Sequence, residues 1–331
     1  MNSFSYTRAR DPAEAVREIS ADGKAKFIAG GTNLIDLMKE NIERPSRLID
    51  ITHLPMKKIH VDADGSLRIG ALVTNTDTVH NEEVTGRYPL LSKAILAGAS
   101  PQLRNMATTG GNLLQRTRCC YFYDIATPCN KRTPGAGCSA MRGANRSHSI
   151  LGTSEHCIAT HPSDMCVALA TLDAVVTVAG PDGERAIPFA EFHRLPGDTP
   201  HIDSNLRSDE IITSVYLPAK DFAGHHAYLK LRDRASYSFA LVSVAAALEL
   251  DGKVIKEARI ALGGVAHKPW RDRQAEVLLQ GRHAVAENFR QAAAALLRNA
   301  KGFGHNNFKI ELANRAVVRA LAQAAAGEGR S

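Results

Sequence analysis

The 331-residue chain lacks the features that mark membrane-spanning or exported proteins. No run of about 18 apolar residues occurs, so the sequence predicts no membrane insertion. The first residues, MNSFSYTRARDP, include no apolar stretch of the signal-peptide type. We therefore expect a cytoplasmic protein.

Aromatic residues are also scarce, at 5% of the chain, with one tryptophan. The formal net charge of +7 and a pI near 9.1 are compatible with phosphate binding, but the basic residues are spread along the chain. Proteins that bind single-stranded nucleic acid combine basic grooves with aromatic stacking platforms, which this sequence does not have. We expect no nucleic-acid partner. A basic nucleic-acid-binding zinc protein stays a third hypothesis, after the two that are given below.

Several catalytic motifs are missing too. The sequence contains no G-x-S-x-G elbow, no H-E-x-x-H metal motif, no G-x-G-x-x-G turn and no Walker loop. We therefore predict no catalytic acid, base or nucleophile in this chain. Such an absence is typical of a subunit whose cofactors supply the chemistry.

Two glycine-rich turns are present instead. Residues 27–34 read FIAGGTNL and continue a short apolar strand, while residues 107–113 read ATTGGNL. Glycine permits close approach and unusual dihedral angles, and converging backbone N–H groups bind anions. One Gly-Gly pair is an ordinary tight turn, but two such turns suit a long ligand held from both sides at a central diphosphate, which describes FAD.

Five of the six cysteines fall in one irregular stretch, residues 110–161, which is much longer than an ordinary loop. An irregular backbone lets widely spaced thiolates reach one iron–sulfur cluster. The sixth cysteine, Cys166, falls in an apolar helix, where we expect a small buried side chain. Because Cys119 and Cys120 are adjacent, the residues alone allow either of them to complete a set with the later loop cysteines.

Charge and spacing bear on the type of metal site. Six basic residues and one acidic residue lie between positions 116 and 146, which would compensate a negative cluster or form a basic docking face. The basic residues are Arg116, Arg118, Lys131, Arg132, Arg142 and Arg146. Structural zinc is the competing metal, but all-cysteine zinc sites usually contain two close cysteine pairs, which are absent here. Disulfides would require an oxidising compartment.

With these motifs the chain resembles the FAD-binding medium subunits of the molybdenum hydroxylases, the family of xanthine dehydrogenase and carbon monoxide dehydrogenase, over nearly its whole length. In that family both glycine turns contact FAD, a Ser-Asp pair supplies a carboxylate, and a stretch similar to residues 228–245 supplies a lysine. The resemblance implies that FAD is bound by Lys26, Phe27, Ile28, Ala29, Gly30, Gly31, Thr32, Asn33, Leu34, Thr108, Thr109, Gly110, Gly111, Asn112, Asp164, Ile212 and Lys230.

The interval between the second turn and Ser163 is longer than in most members of that family, and an insert with cysteines fills it. Similar inserts occur in a subgroup that includes 4-hydroxybenzoyl-CoA reductase and a bacterial periplasmic aldehyde oxidoreductase, in which the insert holds a 4Fe-4S cluster. The segments QRTRC, YFYD and PCNKR carry this likeness. It implies four cluster ligands, with Cys120 as the alternative to the first of them: Cys119, Cys129, Cys138 and Cys157.

The resemblance also implies an α+β architecture. We expect a two-part FAD-binding domain of the vanillyl-alcohol-oxidase/PCMH type, formed by residues 1–53 and 54–218, with the iron–sulfur insert at about 115–160. A C-terminal α+β domain with an antiparallel sheet and helices would follow at residues 222–327.

The partners implied by the resemblance form a heterotrimer. A large subunit with the molybdenum cofactor would oxidise an aldehyde, and a small subunit with two 2Fe-2S clusters would pass electrons to FAD on this chain. The flavin would deliver them to an external acceptor. The resemblance also allows a periplasmic location, reached if a partner subunit that bears a signal carries the folded complex across. The alternative is a self-sufficient FAD-dependent oxidase with a structural all-cysteine zinc site.

Overall fold

The computed structural model describes residues 1–220 and 222–327. The strands are β1 (Ser5–Arg8), β2 (Lys26–Ile28), β3 (Arg47–Asp50), β4 (Ile59–Val61), β5 (Leu67–Gly70), β6 (Val175–Gly180), β7 (Gly183–Pro188), β8 (Ile211–Leu217), β9 (His226–Leu231), β10 (Val242–Asp251), β11 (Val254–Gly263) and β12 (Trp270–Arg271). The α-helices are α1 (Pro12–Ala21), α2 (Leu34–Lys39), α3 (Asn75–His80), α4 (Glu82–Arg87), α5 (Pro89–Ala97), α6 (Pro101–Met106), α7 (Thr109–Leu113), α8 (Cys120–Tyr123), α9 (Asp164–Thr171), α10 (Phe189–Phe192), α11 (Arg273–Val277), α12 (Ala286–Leu296) and α13 (Phe308–Ala326). None of the helices in these described ranges has both the length and the hydropathy needed to cross a membrane.

A parallel sheet with the strand order β1-β3-β2 forms the N-terminal unit. Helix α1 begins where its sequence predicts, because the Asp11 carboxylate accepts the Glu14 N–H at 2.7 Å and Pro12 occupies the first turn. Its buried Ile19 and Ile49 of β3 belong to one small core. The first glycine turn therefore leaves the carboxyl end of β2 from a firmly packed sheet.

An antiparallel sheet with the order β4-β5-β8-β6-β7 forms the second unit. Helix α9 packs into the core of this unit, and every residue of the helix is buried. The Ser163 hydroxyl accepts the Cys166 N–H at 3.1 Å, so this serine caps the helix as the sequence predicts. Asp164 is thereby fixed at the first position of α9.

A second antiparallel sheet, with the order β12-β11-β10-β9, forms the C-terminal unit. Helices α12 and α13 cover it, and their Phe289 and Val317 share a core with Val244 of β10. The expected combination of antiparallel sheet and helices is thus present at the end of the chain.

The insert between α7 and α9 has little regular structure besides α8 and one 3-10 turn at Ser139–Met141. It nevertheless packs firmly, since Ile150 and Leu151 are buried in the core of the C-terminal unit. Their N–H groups both donate to the Val265 carbonyl, at 2.9 and 3.0 Å. The insert is therefore anchored to the C-terminal sheet.

Candidate functional site

A long cleft lies between the N-terminal sheet and the second unit, with about 1660 Å³ of empty space including the part open to solvent. All nine residues from Lys26 to Leu34 line the cleft, as do Thr108, Gly110, Gly111 and Ile212. The two glycine turns, about 80 residues apart in the chain, thus face the same space.

The first glycine turn offers free hydrogen-bond donors. Among the residues that the structure describes, the backbone N–H groups of Gly30, Gly31, Thr32 and Asn33 have no acceptor within the protein. Gly31 has a φ of +70°, and a side chain on Gly30 would begin 1.8 Å from the Met106 carbonyl oxygen. Gly31 is therefore required because its φ is positive, and Gly30 is required because the backbone of Met106, just before the second turn, approaches it closely.

The second turn differs from this. It is the start of helix α7, with Thr108 as the N-cap, and its N–H groups already donate within the chain. Gly111 N donates to the Thr108 hydroxyl at 3.2 Å, and Gly110 N donates to the Ala71 carbonyl at 2.8 Å. The sequence predicts two equivalent anion-binding turns, whereas the structure has one turn with free donors and one compact wall of small residues.

Two other predicted FAD contacts of the second turn face away from the cleft. The Thr109 hydroxyl donates to the Val73 carbonyl at 3.1 Å, and the Asn112 side chain accepts the Ser163 hydroxyl at 2.6 Å. These two residues do not line the long cleft. Asn112 instead connects the second turn to the cap of α9.

Asp164 lines a smaller pocket, together with Arg118, Cys119, His148 and Phe239. Its carboxylate accepts hydrogen bonds from the Tyr228 hydroxyl at 2.6 Å and from Lys230 Nζ at 2.8 Å. Lys230 is 5% exposed and also donates to the Ala97 carbonyl. The structure brings the predicted pair Asp164 and Lys230 together as a buried ion pair, with the carboxylate at the pocket and the lysine behind it.

A chain of charges runs from the long cleft towards the cysteines. Arg116 contacts Glu43 at 2.7 Å and Asp203 at 2.8 Å, and Asp203 also pairs closely with the buried Lys131. Burial alone would raise the pKa of Asp203, but the charges of Lys131 and Arg116 hold it well below its usual range. Arg116 and Asp203 line the cleft, whereas Lys131 lines the cavity between the cysteines.

The basic residues of the insert are largely neutralised by acids from outside it. Besides Arg116 and Lys131, Arg118 pairs with Asp36 at 3.2 Å and Arg146 pairs with Asp233 at 2.7 Å. The expected surplus of positive charge around the cysteines is therefore smaller than the sequence suggests. Lys131 is the basic residue that lines the cysteine cavity.

The four predicted ligands Cys119, Cys129, Cys138 and Cys157 line one small internal cavity. Cys129 and Cys138 face each other in an isolated antiparallel bridge, although nothing in the sequence marks that pairing. Cys120 is exposed and does not line this cavity. The geometry thus favours Cys119 over its neighbour.

Burial dominates the acidity of these thiols. It raises the pKa of Cys119 to about 12 and the pKa of Cys157 to about 11. Thiolates at these positions therefore need a bound cation or cluster to stabilise them, and binding would release protons. Cys166 is fully buried in α9, as expected for a core residue, and burial raises its pKa to about 12.

Two buried histidines form a separate group with Cys166, in which the ligand atoms of all three residues lie within 4.8 Å of one another. His161 Nε2 and His193 Nε2 are 3.1 Å apart, and His193 Nε2 is 2.8 Å from the Leu113 carbonyl oxygen. The two Nε2 atoms thus have contacts within the chain, and all three residues are buried, so we assign the group to the core. His161 also lines the pocket beside Asp164, as its position before Ser163 suggests.

Sequence reasoning missed several residues at the site. Tyr228 could have been found, because it lies two residues before Lys230 in β9 and alternation puts both side chains on one face. Glu43, Asp203 and His148 carry no comparable signal. Their partners lie far away in the chain, so only the folded structure reveals them.

Comparison with known families accounts for nearly the whole chain. Residues 2–220 match the model described as the FAD binding domain in molybdopterin dehydrogenase. Residues 226–324 match the CO dehydrogenase flavoprotein C-terminal domain.

Individual relatives extend this likeness. The chain is 53% identical over 328 residues to the aldehyde oxidoreductase FAD-binding subunit PaoB of Escherichia coli, covering 98% of this chain and 99% of the relative. It is 27% identical to the carbon monoxide dehydrogenase medium chain of Hydrogenophaga pseudoflava, with 96% of each chain covered.

A solved structure of carbon monoxide dehydrogenase from Hydrogenophaga pseudoflava, lacking the Mo-pyranopterin moiety of its cofactor, superposes with a TM-score of 0.77 at 25% identity and covers 98% of both chains. Quinoline 2-oxidoreductase from Pseudomonas putida 86 superposes with a TM-score of 0.75 at 24% identity, again over 98% of both chains, and shows the same fold. These matches confirm the expected fold class.

Proposed function

Since the chain belongs to the family of FAD-binding medium subunits of molybdenum hydroxylases, we propose that it is the electron-transfer subunit of an aldehyde oxidoreductase and carries both FAD and a 4Fe-4S cluster. It would accept electrons from 2Fe-2S clusters of a small partner and deliver them to an external acceptor. A large partner with the molybdenum cofactor would oxidise the aldehyde. The relative that is 53% identical supports the aldehyde assignment by its name.

The residues of the long cleft fit FAD. The free N–H groups of the first turn supply donors for a diphosphate, and the second turn supplies a wall of small residues, Thr108, Gly110 and Gly111. The exposed amine of Lys26, on the rim, adds positive charge and lies 4.0 Å from Glu43. Asp164, held by Tyr228 and Lys230, offers a fixed carboxylate in the neighbouring pocket.

The observation that carries the cluster assignment is the convergence of the four loop cysteines on one cavity. A single tetrahedral zinc ion, with Zn–S bonds of about 2.3 Å, would bring its sulfurs to about 3.8 Å from one another. Among the described residues, no three of the loop cysteines have sulfurs within 4.8 Å of one another. This spacing is wider than a single zinc ion requires, and it favours a larger metal core.

When bound, FAD and the cluster supply the one-electron and two-electron chemistry. The protein positions them. Residues 114–119 connect the three sites, because Leu114 and Arg116 line the cleft, Thr117 and Arg118 line the pocket beside Asp164, and Cys119 lines both that pocket and the cysteine cavity. A short, continuous segment of backbone thus fixes the relative positions of both cofactors.

The test is metal and flavin analysis of the full chain purified without oxygen. We expect one FAD, four irons and four acid-labile sulfides per chain, the stoichiometry that defines the proposed cofactors. Cys129→Ser should lose iron and sulfide but retain most of the FAD. The matched control Cys120→Ser should retain all three, since that side chain lies outside the cavity.

Other results would contradict the proposal. Zinc in place of iron, or full iron content in Cys129→Ser, would remove the cluster from this cavity. Turnover of an aldehyde by the isolated chain would instead favour a self-sufficient oxidase.

A further inference from the structure

Cys119 lies at a boundary between two sites. It lines the cysteine cavity on one side and the pocket beside Asp164 on the other. The other three predicted ligands line only the cysteine cavity. Of the four predicted ligands, Cys119 is therefore the one that also lies at the pocket beside Asp164.

A buried histidine contacts this cysteine. His148 Nε2 is 3.1 Å from Cys119 Sγ, and the ring is 3% exposed. Within the described part of the chain, this is the only side-chain hydrogen bond to any of the four sulfurs. Cys157 Sγ accepts a backbone N–H from Ala159, at the longer distance of 3.4 Å. A thiolate ligand can only accept, so the Nε2 atom must carry the proton.

The position of His148 is fixed by the C-terminal unit. Its carbonyl accepts from Lys309 Nζ at 2.8 Å and from Asn306 Nδ2 at 3.3 Å, and its N–H donates to the Asn145 carbonyl at 2.9 Å. Lys309 is fully buried and also donates to the Gly264 carbonyl at 2.5 Å. The start of α13 therefore holds the backbone that presents the imidazole to the sulfur.

We infer that His148 is a positioning residue for the cluster. Its Nε2–H donates to the Cys119 thiolate, on the side of the cluster that faces the pocket beside Asp164, and this hydrogen bond raises the reduction potential of the cluster. This inference rests on the proposed function, because it needs the cluster. Reduction adds negative charge to the iron–sulfur core and its thiolates, and a hydrogen bond to a ligating sulfur stabilises that added charge. Loss of the donor therefore makes the cluster harder to reduce.

The test is a potentiometric EPR titration of the anaerobically purified full chain and its variants. In His148→Phe, which keeps a ring but has no donor, we expect the ratio of reduced to oxidised cluster at the wild-type midpoint to fall about tenfold, which is 59 mV for one electron. His148→Gln, whose amide can donate, should recover part of the shift. Ser147→Ala is the matched control, since Ser147 lines the same pocket, is exposed, and its hydroxyl makes no hydrogen bond within the described residues.

An unchanged midpoint in His148→Phe, with iron and sulfide content intact, overturns the inference. Absence of iron from the wild-type chain overturns the proposed function instead, so the two failures are distinguishable. If His148→Phe loses its cluster, the deciding measurement is pulsed EPR on protein that retains His148 and is labelled with nitrogen-15 histidine. This is measured in a His156→Gln background, because His156 also lines the cavity. A coupled histidine nitrogen is expected, and its absence overturns the inference.

Discussion

At the scale of single residues, Gly31 combines two constraints. Its φ of +70° suits glycine and, less well, asparagine or aspartate, and it lines the long cleft with an N–H that has no acceptor among the described residues. The sequence alone predicts that this turn binds a diphosphate, but the sign of φ and the free donors come from the structure.

Substitution of Gly31 can separate charge from shape. Gly31→Asp should deplete bound FAD, because a carboxylate would repel the phosphates, while the isosteric Gly31→Asn should retain much more. The FAD released per chain, measured by flavin fluorescence after denaturation, gives the answer. Flavin content that is equal in the two variants and close to that of the wild-type chain would show that no anion lies at this turn.

The ion pair of Asp164 and Lys230 allows a second prediction. Lys230→Met leaves a buried carboxylate without its cation, so the free energy of unfolding should fall by about 3 kcal/mol, the cost typical of a broken buried pair. The double variant Asp164→Asn with Lys230→Met should recover part of this loss. Urea denaturation of the three proteins measures it, and a loss that is equal in the single and double variants would contradict the electrostatic explanation.

At the scale of secondary-structure elements, much of the fold could be predicted from local signals. The Asp11-Pro12 start of α1 and the Ser163 cap of α9 depend on neighbours in the sequence, and both are confirmed. The sequence does not predict α7, which has only five residues, or β7, in which one of six residues is buried and no apolar alternation marks a strand. Contacts between distant segments, such as Lys131 with Asp203, depend on the closed fold and leave no local pattern.

The anchoring of the insert by α13 can be tested at this scale. Lys309→Met removes a donor from two buried carbonyls, those of His148 and Gly264, and from the part-buried carbonyl of Ser147. Unsatisfied buried acceptors cost about 1–3 kcal/mol each, so we expect a loss of at least about 2 kcal/mol in unfolding free energy. Hydrogen exchange near residues 145–151 should also increase. Lys256→Met, at an exposed lysine of the same unit, should change neither quantity.

At the scale of the whole molecule, the three sheets occupy separate stretches of sequence. Their strands span residues 5–50, 59–217 and 226–271, which supports the predicted units at 1–53, 54–218 and 222–327. Those boundaries stay a prediction. The fold class and the family followed from the glycine turns and the resemblance, whereas the relation between the cleft and the cysteine cavity required the folded chain.

Buried histidines make the stability of the whole molecule depend on pH. Burial lowers the pKa of His193 and of His267 to about 4, and that of His161 well below its usual value. In the unfolded chain these histidines bind protons near pH 6.5, whereas in the folded chain His193 and His267 do so only near pH 4. The unfolding free energy should therefore fall as the pH drops from 7 to 5, by about 2 kcal/mol for each histidine.

Denaturant titrations at pH 7 and pH 5 measure this dependence. His193→Phe should reduce the difference between the two values, and His305→Gln, at an exposed position, should leave it unchanged. A difference that is the same in His193→Phe and in the wild-type chain would show that this histidine does not set the acid sensitivity.

The hydrogen bonds between the start of α13 and the insert also bear on when, relative to chain synthesis, the cysteine cavity can bind metal. Asn306 and Lys309, which hold the segment of His148, lie more than 150 residues after it in the chain. A nascent polypeptide that still lacks these residues cannot form the hydrogen bonds that hold the His148 segment beside the cysteine cavity. For the proposed cluster we therefore expect metal loading to follow synthesis, so that ribosome-arrested chains ending before residue 300 acquire no iron, while released full-length chains do.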